Sequence, residues 1–428
     1  MQLMPQVRED PALYGKNYSN FEHSFFLPRH RWYEFKEGFS PLIVQEAICN
    51  SDLCKKDLVF DPFVGSGTVP IVAAQSGFRC IGFEVNPFIS FMASTKLLSP
   101  SQKNFLRHSG TILKACRRGH KSSLEGFSTF TKHNGNAKWL FNKGVLRAFE
   151  GGWIKSDILP KNIRSLYRLA LLNSALTNAN AQRDGKCLRY KSNWTELDLG
   201  TESFVTSLES NLNSVAEDLE RDILPDITSV IPKDVRNYNF ANFNENFKLC
   251  ITSPPYLNSF DYTDIYRPEL FLGKFVKSQF DLRQLRLRTI RSHVQAKWNI
   301  PKLNNFGQIY EHAINEIIAN IDSLWNKRIP LMIQAYFEDM ENVLRKLLLV
   351  SNKTSSLWII VSTSAYAGIE IPVDLILADI GSKLGWKLEE VKVIRHLRHS
   401  AQNAVRWLSG DLYTKRLRES IIVFKGRY

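Results

Sequence analysis

The sequence predicts an α/β fold with a doubly wound sheet, and three segments carry this prediction. Residues 55–88 read as a short apolar strand, a glycine turn, a helix and a second strand, which is a β-loop-α-β unit of the Rossmann kind. Residues 247–256 read as a buried strand that runs into two adjacent prolines. Residues 355–364 read as a central strand that follows a long amphipathic helix over residues 329–350. Helices and strands that alternate in this way are typical of α/β proteins.

The remaining elements frame this sheet. Residues 40–50 predict an amphipathic helix ahead of the first strand, and residues 371–386 predict a helix that ends at Gly385. Residues 387–397 and 418–425 predict two final strands, which we expect to form a closing antiparallel hairpin.

Composition excludes several classes of protein. The chain has 428 residues, of which 44% are hydrophobic and 23% charged, and this is too apolar for a disordered protein. It contains no run of 18 apolar residues and no basic-then-apolar leader, so we expect no membrane partner and a cytoplasmic location. The six cysteines are scattered without a CxxC pair, so neither a zinc site nor a disulfide framework is indicated.

Two stretches lack the strand pattern and are rich in basic residues. The periodicity over residues 100–227 and 267–329 is mainly helical, so we interpret both as insertions. Residues 101–191 hold 18 Lys and Arg against four acids, a surplus equal to the net charge of +14 for the whole chain. Smaller basic segments lie at residues 283–297 and 391–428. Three such segments favour a surface that binds a polyanion, with nucleic acid as the first candidate.

The first motif is the glycine turn DPFVGSGTVP, residues 61–70. Gly65 and Gly67 allow positive φ and a close approach of the backbone to a ligand. The third glycine of a dinucleotide fingerprint is missing, and no Gly-Lys-Ser/Thr follows, so neither an NAD site nor a Walker loop is indicated. Glu84 ends the next strand about 20 residues later, where it is placed to accept hydrogen bonds from ribose hydroxyls.

The second motif is the proline loop TSPPY, residues 252–256. Pro254 and Pro255 fix φ and remove two amide donors, which leaves a rigid turn with carbonyl acceptors. Ser253 and Tyr256 complete this turn. Such a loop is suited to accept hydrogen bonds from an exocyclic amine and to hold a flat base against the tyrosine ring.

Together, DPFVGSGT, GFEVNP and TSPPY resemble the S-adenosylmethionine-dependent amino-methyltransferases that modify exocyclic nitrogens of DNA bases. The resemblance implies a Rossmann-like class I methyltransferase fold with S-adenosylmethionine as cofactor. It also implies that Glu84 binds the cofactor ribose and that Asp234 lies near its adenine ring. Phe39 and Ser40 are further candidates near the cofactor. The residues implied to shape the methionine end of the site are Asp61, Phe63, Gly65 and Gly67, and Thr68 is a further cofactor-binding candidate.

The resemblance also implies how the catalytic loop acts. Acceptors at Ser253 and at the carbonyl of Pro254 would draw the two N–H groups of the amine out of the plane of the base. Tyr256 would stack on a base that is flipped out of duplex DNA. Carbon-5 methylation of cytosine is not indicated, because the sequence has no Pro-Cys pair and Cys250 lies inside an apolar strand.

The target base stays open at this point. Within the family that the chain resembles, serine before Pro-Pro-Tyr favours N4 of cytosine and aspartate favours N6 of adenine, which stays the alternative. A guanine-N2 methyltransferase of transfer RNA and a non-catalytic nucleic-acid-binding protein are further alternatives, although the proline loop of the former usually starts with Asp. The proline loop follows the glycine loop here, whereas it comes first in the common SPPY arrangement, so the subclass is also open.

We therefore expect a site-specific methyltransferase of double-stranded DNA in a restriction-modification system, with a companion endonuclease for the same sequence. His396, Arg398 and His399 are further candidates for the DNA side of the pocket. The expected organisation is a catalytic domain in three parts, at 1–99, 228–266 and 330–428, interrupted by a candidate target-recognition insertion at 100–227 and a second basic insertion at 267–329.

Overall fold

The structure is a computed structural model, and it describes residues 7–9, 18, 21–185, 187–243, 245–302, 304–397 and 417–426. Arg398 and His399 lie outside the described residues, as does most of the third basic segment. The described strands are β1 (Val7–Glu9), β2 (Leu58–Asp61), β3 (Arg79–Phe83), β4 (Ala181–Asp184), β5 (Cys187–Tyr190), β6 (Thr228–Ile231), β7 (Leu249–Thr252), β8 (Ser356–Ser362), β9 (Ser364–Tyr366), β10 (Ile369–Ile371), β11 (Lys387–His396) and β12 (Arg418–Lys425).

Eight of these strands form one sheet in the order β1-β11-β12-β8-β7-β2-β3-β6. The pairs β2–β3, β3–β6, β2–β7 and β7–β8 are parallel, and β12 runs antiparallel to both β8 and β11. The chain builds outward from β2 through β3 to β6 and then returns to the other side of β2 at β7. The predicted doubly wound α/β fold with a closing antiparallel hairpin is therefore confirmed, and the order of strands reverses between β2 and β7.

The α-helices are α1 (Pro41–Cys49), α2 (Thr68–Gln75), α3 (Pro87–Lys96), α4 (Gln102–Leu106), α5 (Ser109–Arg118), α6 (Lys143–Ser156), α7 (Lys161–Thr177), α8 (Thr201–Arg221), α9 (Tyr262–Ile265), α10 (Arg267–Leu272), α11 (Gln279–Leu287), α12 (Gln308–Ala319), α13 (Ile329–Leu349) and α14 (Val373–Leu384). Short 3-10 helices cover Phe21–Phe26, His30–Trp32, Phe240–Asn242 and Ile321–Ser323. Among the helices described, none is long and apolar enough to cross a membrane.

Local chemistry fixes the chain where β3 ends and α3 begins. The Asn86 side chain accepts hydrogen bonds from the amides of Phe88 (3.0 Å) and Ile89 (3.3 Å), and Pro87 occupies the first helical position. This cap starts the helix at a defined residue. It therefore holds Glu84, two residues earlier, at the carboxyl edge of the sheet.

The stretch from 100 to 227 differs from its sequence-based description in one respect. Helices α4 to α8 dominate it, but β4 and β5 pair as an antiparallel hairpin that the sequence did not predict. The hairpin was missed because its strands read AQRD and CLRY, in which polar and partly exposed positions hide the usual apolar alternation. One hydrophobic core joins this stretch, through residues such as Phe149, to Tyr33 and Phe88 outside it.

Candidate active site

A cavity opens at the carboxyl ends of β2, β3, β6 and β7, where the order of strands reverses. It encloses about 780 Å³ of space between protein atoms, including its open mouth. In open α/β sheets, ligands bind at such a reversal point. Four residues predicted to bind the cofactor line this cavity, namely Phe63, Gly65, Glu84 and Asp234. We refer to it below as the cofactor cavity.

Glu84 is anchored to the backbone on both sides of the glycine loop. Its Oε2 accepts a hydrogen bond from the amide of Gly65 (3.1 Å), and its Oε1 accepts one from the amide of Asn86 (2.8 Å). Gly65 has φ of 53°, a conformation that other residues adopt at a cost. Burial raises the pKa of Glu84 to about 7, against the opposing effect of the backbone amides of Asn86, Gly65 and Val85.

Asp61 lies behind the glycine loop and ties it to the strand that carries the proline loop. Its Oδ1 accepts hydrogen bonds from the hydroxyl of Thr252 (2.6 Å) and the amide of Phe63 (3.0 Å). Burial raises the pKa of Asp61 to about 7. Asp61 therefore sets the spacing between the ends of β2 and β7 and stands outside the lining of the cofactor cavity.

Gly67 and Thr68, which were also predicted to bind the cofactor, lie behind the cavity as well. Gly67, with φ of 92°, packs against Ala93 so closely that an added Cβ would lie 3.3 Å from the Ala93 Cβ. Thr68 begins α2, and its hydroxyl lies 3.3 Å from that of Ser66. The structure thus places Gly67 and Thr68 where they shape the loop without facing the cavity.

Asp234 lines the cofactor cavity beside its neighbour Arg236. The two side chains form an ion pair of 2.9 Å, and Arg236 also pairs with Asp339 at 2.9 Å. Asp234 further accepts a hydrogen bond from the side-chain amide of Asn237 (2.9 Å). These contacts fix the orientation of the Asp234 carboxylate at the wall of the cavity.

The sequence missed several residues that line the cofactor cavity, among them Phe35 and Glu37. Glu37 accepts a hydrogen bond from the hydroxyl of Tyr266 (2.6 Å), and the ring of Phe35 stacks on that of Tyr266 at 5.4 Å. The nearby candidates Phe39 and Ser40 serve α1 instead. Ser40 caps α1 through the amide of Leu42, and Phe39 lies in the hydrophobic core.

The second basic stretch also contributes to this cavity through Ser292 and His293. His293 is buried, and its Nε2 lies 3.4 Å from the hydroxyl of Thr289. Burial lowers the pKa of His293, with a smaller opposing effect from Asp261. We see no sequence motif that would have singled out these residues.

The proline loop separates the cofactor cavity from a second cavity. Ser253 and Pro255 face the cofactor cavity, whereas Tyr256 lines the second one. The Tyr256 hydroxyl donates a hydrogen bond to the carboxylate of Glu419 on β12, and Glu419 also pairs with Arg395 at 2.7 Å. Burial raises the pKa of Tyr256 well above its ordinary value and Glu419 raises it further, while a hydrogen bond with Ser253 opposes the rise.

The second cavity encloses about 1940 Å³, including its open mouth, and combines polar and aromatic walls. Asp261 in its wall pairs with Arg286 at 2.5 Å and accepts a hydrogen bond from the hydroxyl of Thr263 (2.6 Å). The exposed Trp325 lies at the same cavity. A methyl donor on one side of the proline loop and a flat acceptor on the other would meet at Ser253. We call this space the base cavity.

Known proteins resemble the chain in this region and beyond it. Residues 15–94 match the N6/N4 methyltransferase family of DNA methylases. The chain is 25% identical to the Type II methyltransferase M.BsoBI of Geobacillus stearothermophilus over 475 aligned positions, which cover 98% of this chain and 90% of that protein. It is 26% identical to the Type II methyltransferase M.AvaI of Nostoc sp., covering 88% of this chain and 82% of that protein.

Among solved structures, two of the rRNA methyltransferase aviRa from Streptomyces viridochromogenes match at 10% and 9% identity, each with a TM-score of 0.32. They cover 91% and 94% of this chain and 85% and 92% of theirs. A likeness at this level carries no argument about function. The sequence similarities, in contrast, support a DNA amino-methyltransferase with S-adenosylmethionine as the methyl donor.

Proposed function

We propose that this DNA methyltransferase transfers a methyl group from S-adenosylmethionine to the exocyclic N4 of cytosine in duplex DNA. One observation carries the proposal: Ser253 begins a rigid proline loop that forms a shared wall between the cofactor cavity and the base cavity. A group held on one side of the loop is thus next to a group held on the other.

The residues of the cofactor cavity fit S-adenosylmethionine. The Glu84 carboxylate uses two of its roughly four acceptor positions for backbone amides, which leaves others for the ribose hydroxyls. Asp234 offers a fixed carboxylate for an exocyclic amine, and Phe35 and Ile89 offer apolar surface for a flat ring.

The proline loop then prepares the acceptor amine. An aromatic exocyclic nitrogen is a poor nucleophile, since its lone pair is delocalised into the ring. The hydroxyl of Ser253 and the carbonyl of Pro254 accept its two N–H groups and turn the lone pair out of the plane. When bound, S-adenosylmethionine would supply a methyl group on its sulfonium sulfur. The amine nitrogen would bond to this methyl group as the sulfur–carbon bond breaks and leaves a neutral thioether, and the amine would release one proton to water. Most of the acceleration comes from holding the groups in position.

Tyr256 holds the flipped base on the other side of the loop. A base in duplex DNA is out of reach of the loop until it leaves the stack, and an aromatic ring in the base cavity offers a surface to receive it. The hydrogen bond from the Tyr256 hydroxyl to Glu419 fixes the orientation of this ring before a base binds. The base cavity thus gives the aromatic platform a defined orientation.

Serine at position 253 leads us to cytosine as the target, and N6 of adenine is the second candidate because the matched family includes both kinds of enzyme. Single-molecule sequencing of DNA from cells that express the protein reports the modified base and its sequence context together. N4-methylcytosine at one motif is the expected result. N6-methyladenine at that motif would overturn the choice of base but not the reaction.

The site assignment is tested separately by Ser253→Ala and Tyr256→Ala. We expect both variants to lose transfer of labelled methyl groups to cognate duplex DNA and to keep most of their affinity for the cofactor. Ser351→Ala is a matched control, since this serine follows α13 at the amino edge of the sheet and its hydroxyl donates to the carbonyl of Leu348 (3.0 Å). Full turnover by both site variants would disprove the assignment.

We further propose that the protein protects host DNA from a companion endonuclease of the same specificity, since its relatives are named Type II methyltransferases. DNA from expressing cells should resist cleavage by an endonuclease that recognises the modified motif. Cleavage at that motif despite complete methylation would contradict this role.

A further inference from the structure

A groove on the stretch from 100 to 227 carries basic side chains around an indole ring. Its walls include Lys121, Lys132, His133, Trp139 and Lys143, and we call it the lysine groove. Its three lysines are exposed, whereas Trp139 is half-buried. Lys132 lies over the Trp139 ring, with its Nζ 5.0 Å from the ring centroid. The face of an indole ring attracts a cation, so this contact holds the Lys132 ammonium group beside the ring.

The aromatic part of the lysine groove continues into a small cluster. Trp139 meets Trp194 edge to face at 4.5 Å, and Trp194 lies 5.2 Å from Tyr190. Lys138, next to the groove in the chain, lies over the Tyr190 ring at 5.3 Å. The cluster therefore extends the basic surface from the groove to the hairpin of β4 and β5.

Hydrogen bonds hold this surface in one arrangement. The indole N–H of Trp139 donates to Asn142 Oδ1 (2.9 Å), and Asn142 donates to the carbonyl of Leu199 (2.9 Å). The side chain of Asn180 donates to the carbonyl of Trp139 (3.1 Å). A surface that is ordered before binding loses less entropy when a partner docks.

Acidic side chains offset only part of the positive charge of this surface, although one of them, Glu125, lies in the wall of the lysine groove. The acids of residues 101–191 are all engaged, with Glu125 paired to Arg147 (2.9 Å), Glu150 to Lys274 (2.7 Å), Asp157 to Arg168 (2.5 Å) and Asp184 to Arg189 (2.7 Å). In contrast, no carboxylate of the described chain forms an ion pair with Lys121, Lys132 or Lys138. Lys121, Lys132 and Lys138 are therefore among the charges of this stretch that stay available to an anionic partner.

The lysine groove also connects to the base cavity. Phe127, in the loop that leads into the groove, packs on Phe271 of α10 at 5.3 Å. Tyr190 lies close enough to Arg267 for that guanidinium to oppose the rise of the tyrosine pKa. Arg267 pairs with Asp264 at 3.6 Å, and Asp264 lies in the wall of the base cavity. Side-chain contacts thus link the aromatic cluster beside the groove to the wall of the base cavity.

We propose that the lysine groove docks the phosphodiester backbone of the duplex DNA that flanks the target base. The inference rests on the proposed function, because it takes duplex DNA as the substrate. The groove supplies charge and position, and the base cavity supplies the contacts to the base itself. Contacts to phosphates place a protein on the duplex without reading its sequence.

The test is the triple variant Lys121→Gln/Lys132→Gln/Lys138→Gln, which removes two lysines of the groove wall and the neighbouring lysine over Tyr190. Each lysine that contacts a phosphate contributes about one unit to the slope of log affinity against log salt concentration. We expect the slope for duplex DNA to flatten by about three units, and affinity to fall by roughly tenfold or more near 0.1 M salt. Cofactor affinity should stay unchanged, because none of the three lysines lies in the cofactor cavity.

The matched control is Lys55→Gln/Lys56→Gln/Lys353→Gln, which removes the same charge from exposed lysines at the amino edge of the sheet, just before β2 and β8. We expect it to lower the slope far less. Equal slopes for the two triple variants would overturn the inference and leave the reaction intact. Absence of both binding and methyl transfer to duplex DNA in the wild type would instead overturn the proposed function.

Discussion

Glu84→Gln tests whether the carboxylate at the end of β3 holds the cofactor. The pKa of Glu84 is about 7 against an ordinary value of 4.5. At pH 6 about nine-tenths of the free protein therefore carries a neutral carboxyl, and at pH 8 about one-tenth does. If only the carboxylate accepts the ribose hydroxyls, wild-type affinity for S-adenosylmethionine should rise about tenfold from pH 6 to pH 8.

The same pKa gives the opposite trend for the protein without cofactor. A folded-state pKa above the unfolded value means that folding favours the protonated carboxyl. The resulting stability is complete below about pH 4.5 and is lost as the pH rises through about 7. We therefore expect Glu84 to lower the free energy of unfolding at pH 8 relative to pH 6, while cofactor affinity increases.

Glutamine at this position no longer titrates and has a single acceptor oxygen for two backbone amides and the ligand. A hydrogen bond to a charged acceptor contributes about 1.5–3 kcal/mol. The loss of one such bond predicts an affinity for S-adenosylmethionine that is about 10- to 150-fold weaker at pH 8. Calorimetry at pH 6, 7 and 8 measures both effects, with Glu245→Gln as the control at an exposed acid that pairs with Arg79. Wild-type affinity that changes less than twofold with pH, or near-wild-type binding by Glu84→Gln, would refute the reasoning.

Three further substitutions probe the loops around the site. Thr252→Val removes a hydrogen-bond donor to the buried Asp61 carboxyl, so the free energy of unfolding in urea should fall by about 1–3 kcal/mol. An unchanged free energy of unfolding would contradict the link between β2 and β7. Gly65→Ala places a side chain at φ of 53°, at a cost of about 1–2 kcal/mol, and calorimetry should show weaker cofactor binding. Tyr256→Phe keeps the ring but loses the bond to Glu419, so labelled methyl transfer should slow at unchanged cofactor affinity; wild-type turnover would show that this bond does not orient the ring.

The parts of the site that follow from the sequence depend on local constraints. Gly65 and the two prolines restrict backbone dihedrals at their own positions, so their loops can be read without knowledge of the rest of the chain. The interval between the glycine loop and Glu84 is one helix plus one strand, which brings both to the same edge of a parallel sheet. These constraints predicted the doubly wound fold and the cavity-lining positions of Gly65 and Glu84.

The parts that the sequence did not reveal depend on packing between distant segments. Glu37 reaches the cofactor cavity through the packing of Phe35 and Tyr266, and Glu419 reaches the proline loop because β12 pairs with β8. Neither acid lies in a motif. His293 lies in residues 267–329, which the sequence described only as basic and helical. Helical periodicity indicates which face of a segment is exposed, but it does not indicate which cavity the segment borders.

Arg183 shows how closely the long basic stretch is joined to the cofactor side of the molecule. It lies on β4 between the rings of Tyr33 and Tyr266, at 5.6 and 4.4 Å, and pairs with the fully buried Glu269. Its NH2 group donates to the Tyr33 hydroxyl at 2.7 Å, and Tyr266 donates in turn to Glu37 in the wall of the cofactor cavity. The hairpin is thus linked, through Tyr266 and Glu37, to the wall of the cofactor cavity.

Arg183→Met should therefore destabilise the whole molecule. Removing one partner of a buried ion pair costs about 3–5 kcal/mol, because Glu269 stays buried without its cation. The control Arg189→Met lies on the same hairpin but breaks an exposed pair with Asp184, worth about 0–1 kcal/mol. Urea unfolding measures both, and we expect one cooperative transition, since a single core spans Phe149 and Tyr33. Two separate unfolding transitions, together with an unchanged cofactor affinity of Arg183→Met, would show that residues 100–227 fold as an independent module. The basic charge of this stretch would then act without a structural link to the cofactor cavity.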